Sequence, residues 1–188
     1  MVGWELTLPQ LVYNNFVIHC SVIYLKHSDW SYEHMKRLLS AYLKDIAETT
    51  IQGDAREESY YSALETLLEQ FPVGDEKTVQ VTTLPKQTEA GNPDFRVWDG
   101  KHHIVGYIEA KPPGTNLDRI ETSEQLTRYL QTFPNVILTD FYEFRLYRDG
   151  ELVDQAVIGR HFIAKKIKTT PPIEQVENFE NLLGKFFS

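Results

Sequence analysis

The chain has 188 residues, 41% of them hydrophobic and 24% charged, enough for one domain with a real core and unlike a disordered chain. Its formal net charge of −8 argues against gripping nucleic acid by bulk charge, though not against a site that gathers carboxylates around a cation. Cys20 is the sole cysteine, which excludes an intrachain disulfide and a thiolate metal cluster and fits a reducing, cytoplasmic interior.

Residues 11–25, LVYNNFVIHCSVIYL, are the most apolar stretch. They are too short, and too polar at Asn14, Asn15 and His19, to span a bilayer, and they lack a secretory signal's basic start. The expectation is a strand or hairpin, or a start site placed upstream of the natural one, and residues 1–30 are left as a segment of uncertain role. Residues 28–49 predict a helix: Met35, Leu38, Leu39, Tyr42, Leu43 and Ile46 recur at helical spacing, and Ser28 or Asp29 can cap it. Residues 56–71 predict a second, with Tyr60, Leu64, Leu67, Leu68 and Phe71 inward. Glu57 falls on that inward stripe and needs a partner there, whereas Glu58, Glu65 and Glu69 point away.

Strands follow at 79–84, 94–99 and 103–111, the last two joined by the turn DGKH. Pro112-Pro113-Gly114 ends the third, since proline cannot donate to a ladder. Residues 116–133 read as one amphipathic helix, and 135–140 as a strand covered on both faces. Residues 143–150 and 151–159 flank Asp-Gly and predict a hairpin. A basic segment, 160–168, precedes a C-terminal amphipathic helix; its cations suit phosphates or plain solvent equally. The rhythm points to an α/β domain with a central mixed sheet of about five strands flanked by helices.

Charged residues at the edge of this core carry the chemistry. Alternation puts Glu109 and Lys111 on one face, with Ala110 opposite. In the hairpin, Asp94 begins one strand while Glu109 and Lys111 end its neighbour. Two carboxylates that close repel unless a cation or a proton lies between them, and hard oxygen ligands suit Mg²⁺. A lysine beside them can orient water or stabilise a phosphoryl oxyanion, completing the inventory for metal-assisted phosphodiester hydrolysis. The plainer readings are a turn aspartate after Pro93 and a strand-end ion pair. His102 and His103, adjacent in a strand, would point to opposite faces and read as a turn-flanking polar pair rather than zinc ligands.

Pro93-Asp94 and Glu109-Ala110-Lys111, fourteen residues apart, resemble the PD-(D/E)xK nuclease motif. Gln125-Leu-Thr-Arg-Tyr129 resembles the Q-x-x-x-Y element of some branches, and Glu57 the acid that many members add upstream. Residues 106–153 resemble the amino-terminal nuclease domain of single-polypeptide restriction-modification enzymes, type I and fused type II. The resemblance implies a restriction-endonuclease-like fold over residues 31–160. Residues 161–188 would then lead toward a further methyltransferase or helicase domain. It implies that Asp94, Glu109 and the Ala110 carbonyl bind Mg²⁺, with Mn²⁺ able to substitute, and that Glu57 binds directly or through water. Lys111 would position and activate the attacking water, and Gln125 and Tyr129 would contact the lysine or the DNA. The implied partner is double-stranded DNA, cut to 3′-hydroxyl and 5′-phosphate ends, with dimerisation where both strands are cut. No methyltransferase N-P-P-Y element and no Walker loop is present, so DNA sequence choice is expected to lie outside an excised domain or a standalone relative. A repair or recombination nuclease of the same superfamily, or a catalytically silent nucleic-acid-binding module, are the alternative readings.

Overall fold

The computed structural model describes residues 32–73 and 78–188. The apolar stretch 11–25, the cap at Ser28 or Asp29 and Cys20 lie outside them. A first helix, α1, spans residues 32–52 and runs on through Ile51 and Gln52 until Gly53 ends it. A 3₁₀ turn, Glu57–Tyr60, leads into α2, Tyr61–Glu69. Next come β1 (Gln80–Thr83), β2 (Phe95–Trp98) and β3 (Ile104–Ala110). The stretch expected to be one helix is two, α3 (Leu117–Glu121) and α4 (Glu124–Thr132). The break is a second cap: the Ser123 hydroxyl accepts from Leu126 N–H, an oxygen that competes with helix continuation. Then follow β4 (Asn135–Thr139), β5 (Glu143–Arg148) and β6 (Glu151–Val157), a π-helical turn at Ile163–Ile167, and α5 (Val176–Phe186).

The sheet has six strands, one more than expected, in the order β1-β2-β3-β4-β5-β6. Every neighbouring pair is antiparallel except β3 and β4, which run parallel with α3 and α4 as their crossover. Asp149 and Gly150, both at positive φ (48° and 85°), make the tight turn between β5 and β6. All five residues of β4 are buried, as its unbroken apolar run requires. Val136 and Leu138 meet Leu126, Tyr129 and Phe133 of the α4 side. The register then places Ile137, Ile108 and Phe95 on the other face, where Tyr61 of α2 packs on Phe95 at 4.7 Å. Phe179 of α5 meets Phe144 on that same face, and Phe71 after α2 stacks on Phe187 after α5. The result is a helix-flanked mixed α/β sheet, and residues 35–188 form one compact unit that includes the C-terminal helix.

Buried charge fixes the crossover. The Arg145 guanidinium on β5, only 9% exposed, pairs with Glu143 at 2.6 Å, Asp118 at 2.7 Å and Glu121 at 2.8 Å, tying α3 to the sheet. Glu65 and Glu69 do more than face solvent: Glu65 accepts from the Thr83 hydroxyl and Glu69 from Val81 N–H, holding the edge strand β1 to α2. His102 and His103 lie in the β2–β3 turn rather than in a strand, and His103 faces Asp99 at 3.2 Å.

Gly106, inside β3, is a close-approach position. A Cβ there would lie 2.6 Å from the Asn135 carbonyl oxygen and 2.7 Å from the Phe186 ring. Gly106→Ala is therefore expected to destabilise the fold by about 1–3 kcal/mol, read as a lower thermal midpoint in a melt. An unchanged midpoint would show that β3 and α5 give way freely.

Candidate active site

The antiparallel register of β2 and β3 pairs Phe95 with Ile108, so Asp94 sits beside Glu109 and Ala110 at one end of the sheet. One Asp94 carboxylate oxygen, Oδ2, accepts from the Ala110 N–H at 2.8 Å, so the side chain itself holds the two strand ends together. Lys111 N–H donates to the Thr139 carbonyl at 2.8 Å, which extends the parallel pairing one residue and fixes where the lysine leaves the backbone. Its ammonium donates to Glu109 Oε1 at 2.5 Å. The Glu109 side chain is 3% exposed, while that of Lys111 is 20% exposed and within reach of solvent. Asp94, Glu109 and Lys111 thus meet where the strand alternation puts them.

Glu57 reaches this group through a residue that the helical spacing did not single out. The Tyr61 hydroxyl lies 2.7 Å from Asp94 Oδ1 and 2.9 Å from Glu57 Oε1. It has one proton for two carboxylates, so both contacts are hydrogen bonds only when one acid is protonated. Burial raises the Glu57 carboxyl above its ordinary range, against the opposing pull of the Tyr61 hydrogen bond. Glu57 itself sits in the 3₁₀ turn before α2, half-buried, rather than on a continuous helical stripe.

On the other side, α4 delivers the remaining pair. Gln125 Nε2 donates to the Tyr129 hydroxyl at 3.2 Å, and the Tyr129 ring packs against Gly91, just before Pro93-Asp94. Tyr129 is 1% exposed. Burial raises its phenol's pKa, and the charges of Glu109 and Asp94 add to that, so the hydroxyl sits in the field of the acids.

The electrostatics are those of a site short of positive charge. Burial first, and then the charge of Asp94, push the Glu109 carboxyl up to about 7, although the Lys111 ammonium pulls it down. Burial works to lower the Lys111 pKa, but its bond to Glu109 and the charges of Glu109, Asp94 and Glu57 outweigh that and hold the ammonium above its ordinary range. The second Glu109 oxygen, Oε2, is buried and has no hydrogen-bond partner among the described residues. A buried carboxylate oxygen left bare beside a second carboxylate fits a cation there. Among the described residues no three His, Cys, Asp or Glu side chains form a ready-made metal cage. The donor set suits Mg²⁺, which binds through one or two carboxylates and keeps waters and substrate oxygens for its other positions. Asp94 and Glu109, with the Ala110 carbonyl beside them, could hold it, and Glu57 stands one hydroxyl away.

Among the described residues no helix is long and apolar enough to cross a membrane. Neither the protein-family models nor the curated proteins compared with the chain match it. Among solved structures, the chain is similar to one in a cryo-electron-microscopy structure of a DrdV–DNA complex, with a TM-score of 0.59 and 22% identity. The match covers 81% of this chain and 14% of the other, so this chain spans a small part of that neighbour's length. At that identity the likeness is one of fold, a helix-flanked mixed sheet that both chains share.

Proposed function

We propose that the protein is a Mg²⁺-dependent DNA endonuclease of a restriction-modification system, built on the PD-(D/E)xK pattern and working in the cytoplasm. One observation carries the reading. Glu109 is almost fully buried, spends one oxygen on Lys111, leaves the other bare, and lies beside Asp94 at a sheet end. A structural ion pair needs no second carboxylate and no bare oxygen. The DNA in the complex of the structurally similar chain supports DNA as the substrate class.

What a bound Mg²⁺ supplies is Lewis-acid charge at the phosphoryl oxygens. The residues do the rest. Asp94 and Glu109 would hold the ion, with the Ala110 carbonyl, and Glu57 would bind it directly or through water. Glu109 also orients the Lys111 ammonium. Partly exposed, Lys111 holds the attacking water by hydrogen bond and meets the charge that develops on the phosphate. Gln125 positions the buried Tyr129 hydroxyl, and of the two it is Gln125 that reaches Lys111 or the DNA backbone. Sequence choice is assigned to a methyltransferase or specificity part outside this domain, and double-strand cutting to two copies acting together.

Supercoiled plasmid incubated with the purified protein tests this. Nicked or linear product is expected with Mg²⁺ or Mn²⁺ and none in EDTA. A rise in the thermal midpoint with either ion should accompany it. No product and no metal-dependent rise would favour a catalytically silent nucleic-acid-binding module. Cutting confined to ends or branched duplexes would favour a repair or recombination nuclease.

A further inference from the structure

A cavity of about 440 Å³ opens beside the candidate site. One wall is the turn carrying Arg56 and Glu57, and the opposite wall is Pro112 and Pro113, with His161 and Lys165 closing it. Both walls are continuous with the site, since Glu57 belongs to each and Pro112 directly follows Lys111. The walls are set firmly. Gly114 N–H donates to Asp140 Oδ2 at 3.0 Å, and the His161 ring lies so close to Gly114 that a Cβ there would be 2.2 Å from Nδ1. Gly114 also has a φ of +84°, which only glycine adopts without strain.

Two cations line this cavity, and neither is used up by a carboxylate as those of the strongest ion pairs are. Arg160 is paired with Glu174, Lys185 with Asp154, and Arg145 with three acids. Arg56 and Lys165 are exposed and make no ion pair among the described residues. Lys165 comes from the π-helical turn Ile163–Ile167, a distortion that re-aims side chains and recurs at functional sites. Glu57 is the cavity's acid, and its Oε1 is taken by Tyr61 on the candidate-site side. In a chain of net charge −8, two unneutralised cations on one cavity mark a local anion site rather than a basic surface. The small residues Gly53 and Ala55 leave its mouth open.

We propose that this cavity binds a backbone phosphate of the DNA strand being cut, adjacent to the scissile phosphate, with Arg56 and Lys165 as its cations. The inference rests on the nuclease reading of the neighbouring acids. It explains how an acidic chain holds a polyanion: the contact is confined to the track leading into Lys111.

Binding of a short labelled duplex is measured by anisotropy across a salt series, with Ca²⁺ in place of Mg²⁺ so that the duplex stays intact. The double variant Arg56→Ala, Lys165→Ala should weaken binding about tenfold and flatten the slope of log affinity against log salt by about 1–2. Lys165→Arg should keep the wild-type slope, and Lys166→Ala, one residue away but off the cavity, should leave it unchanged. In the cleavage assay the loss should fall mainly on KM. An unchanged slope in the double variant, or an equal loss in Lys166→Ala, overturns the proposal. The binding measurement needs no cleavage, so a wild-type protein that fails to cut while the slopes behave as stated removes the nuclease reading and leaves this subsite standing.

Discussion

Asp94→Asn and Lys111→Ala should each lower DNA cleavage by about 10³-fold or more, roughly 4 kcal/mol of transition-state stabilisation. They should leave different fingerprints. Asparagine keeps a side-chain oxygen for the Ala110 N–H, so the strand ends stay joined and the fold is retained. Its neutral amide is a poor magnesium ligand, so the metal-dependent rise in thermal midpoint should shrink or vanish. Lys111→Ala leaves both carboxylates in place and should keep that rise, while losing the group that holds the water. Removing the ammonium also strips the Glu109 carboxylate of the one hydrogen-bond partner it has among the described residues, which pushes its carboxyl further up and makes the metal-free variant least stable at alkaline pH. Paired melts and plasmid assays separate the two roles. Undiminished cutting in both variants would sink the assignment of the site, and a lost metal response in Lys111→Ala with normal folding would make the lysine part of the metal site itself.

The parts of this site that could be read from the chain are those fixed by short-range rules. A strand alternates, so Glu109 and Lys111 share a side, and a tight turn returns the chain so that Asp94 meets them. Gln125 and Tyr129, four apart on a helix, had to face the same way, and they are bonded to each other. Contacts that depend on tertiary packing were not legible. Tyr61 looks in the sequence like one more core aromatic beside Tyr60. Only the packing of its ring on Phe95 aims the hydroxyl between Glu57 and Asp94. Arg145 reads as a polar position in a strand, and its three carboxylate partners come from two different elements. Glu65 and Glu69 read as solvent-side residues, because the sequence gives no hint that an edge strand lies within reach of α2. The helix break at Ser123 could have been suspected: Thr-Ser followed by Glu is a cap signal, but an apolar stripe at helical spacing runs on through it.

Glu109→Gln should make the metal-free protein more stable while it removes function. The wild-type carboxyl is raised from its ordinary range near 4.5 to about 7, chiefly by burial. For an acid whose folded pKa is raised, the folded state binds the proton more tightly than the unfolded one. Its stabilising contribution is therefore complete below the unfolded value and is lost as pH rises through the folded one. In EDTA the wild-type stability should fall between pH 5.5 and pH 8 by an amount on the order of 1–3 kcal/mol, read as a lower midpoint. The neighbouring acid Glu57 is raised too and acts in the same direction. Lys111 is raised from a value already above 10, so its contribution does not change in this window. Glutamine removes the titration but keeps an oxygen for the Lys111 ammonium. Its midpoint should fall less steeply than wild type's from pH 5.5 to pH 8, by Glu57's share alone, and lie several degrees above wild type at pH 8. Addition of Mg²⁺ at pH 8 should reverse the order, since the wild-type carboxylate then has its cation and the amide has little use for one. Stability given up in the metal-free state for a charge that works only when filled is the pattern expected of a functional site. A metal-free Glu109→Gln protein that melts below wild type at pH 8 would instead make the Glu109–Lys111 pair a structural bridge, and the buried bare oxygen would need another explanation.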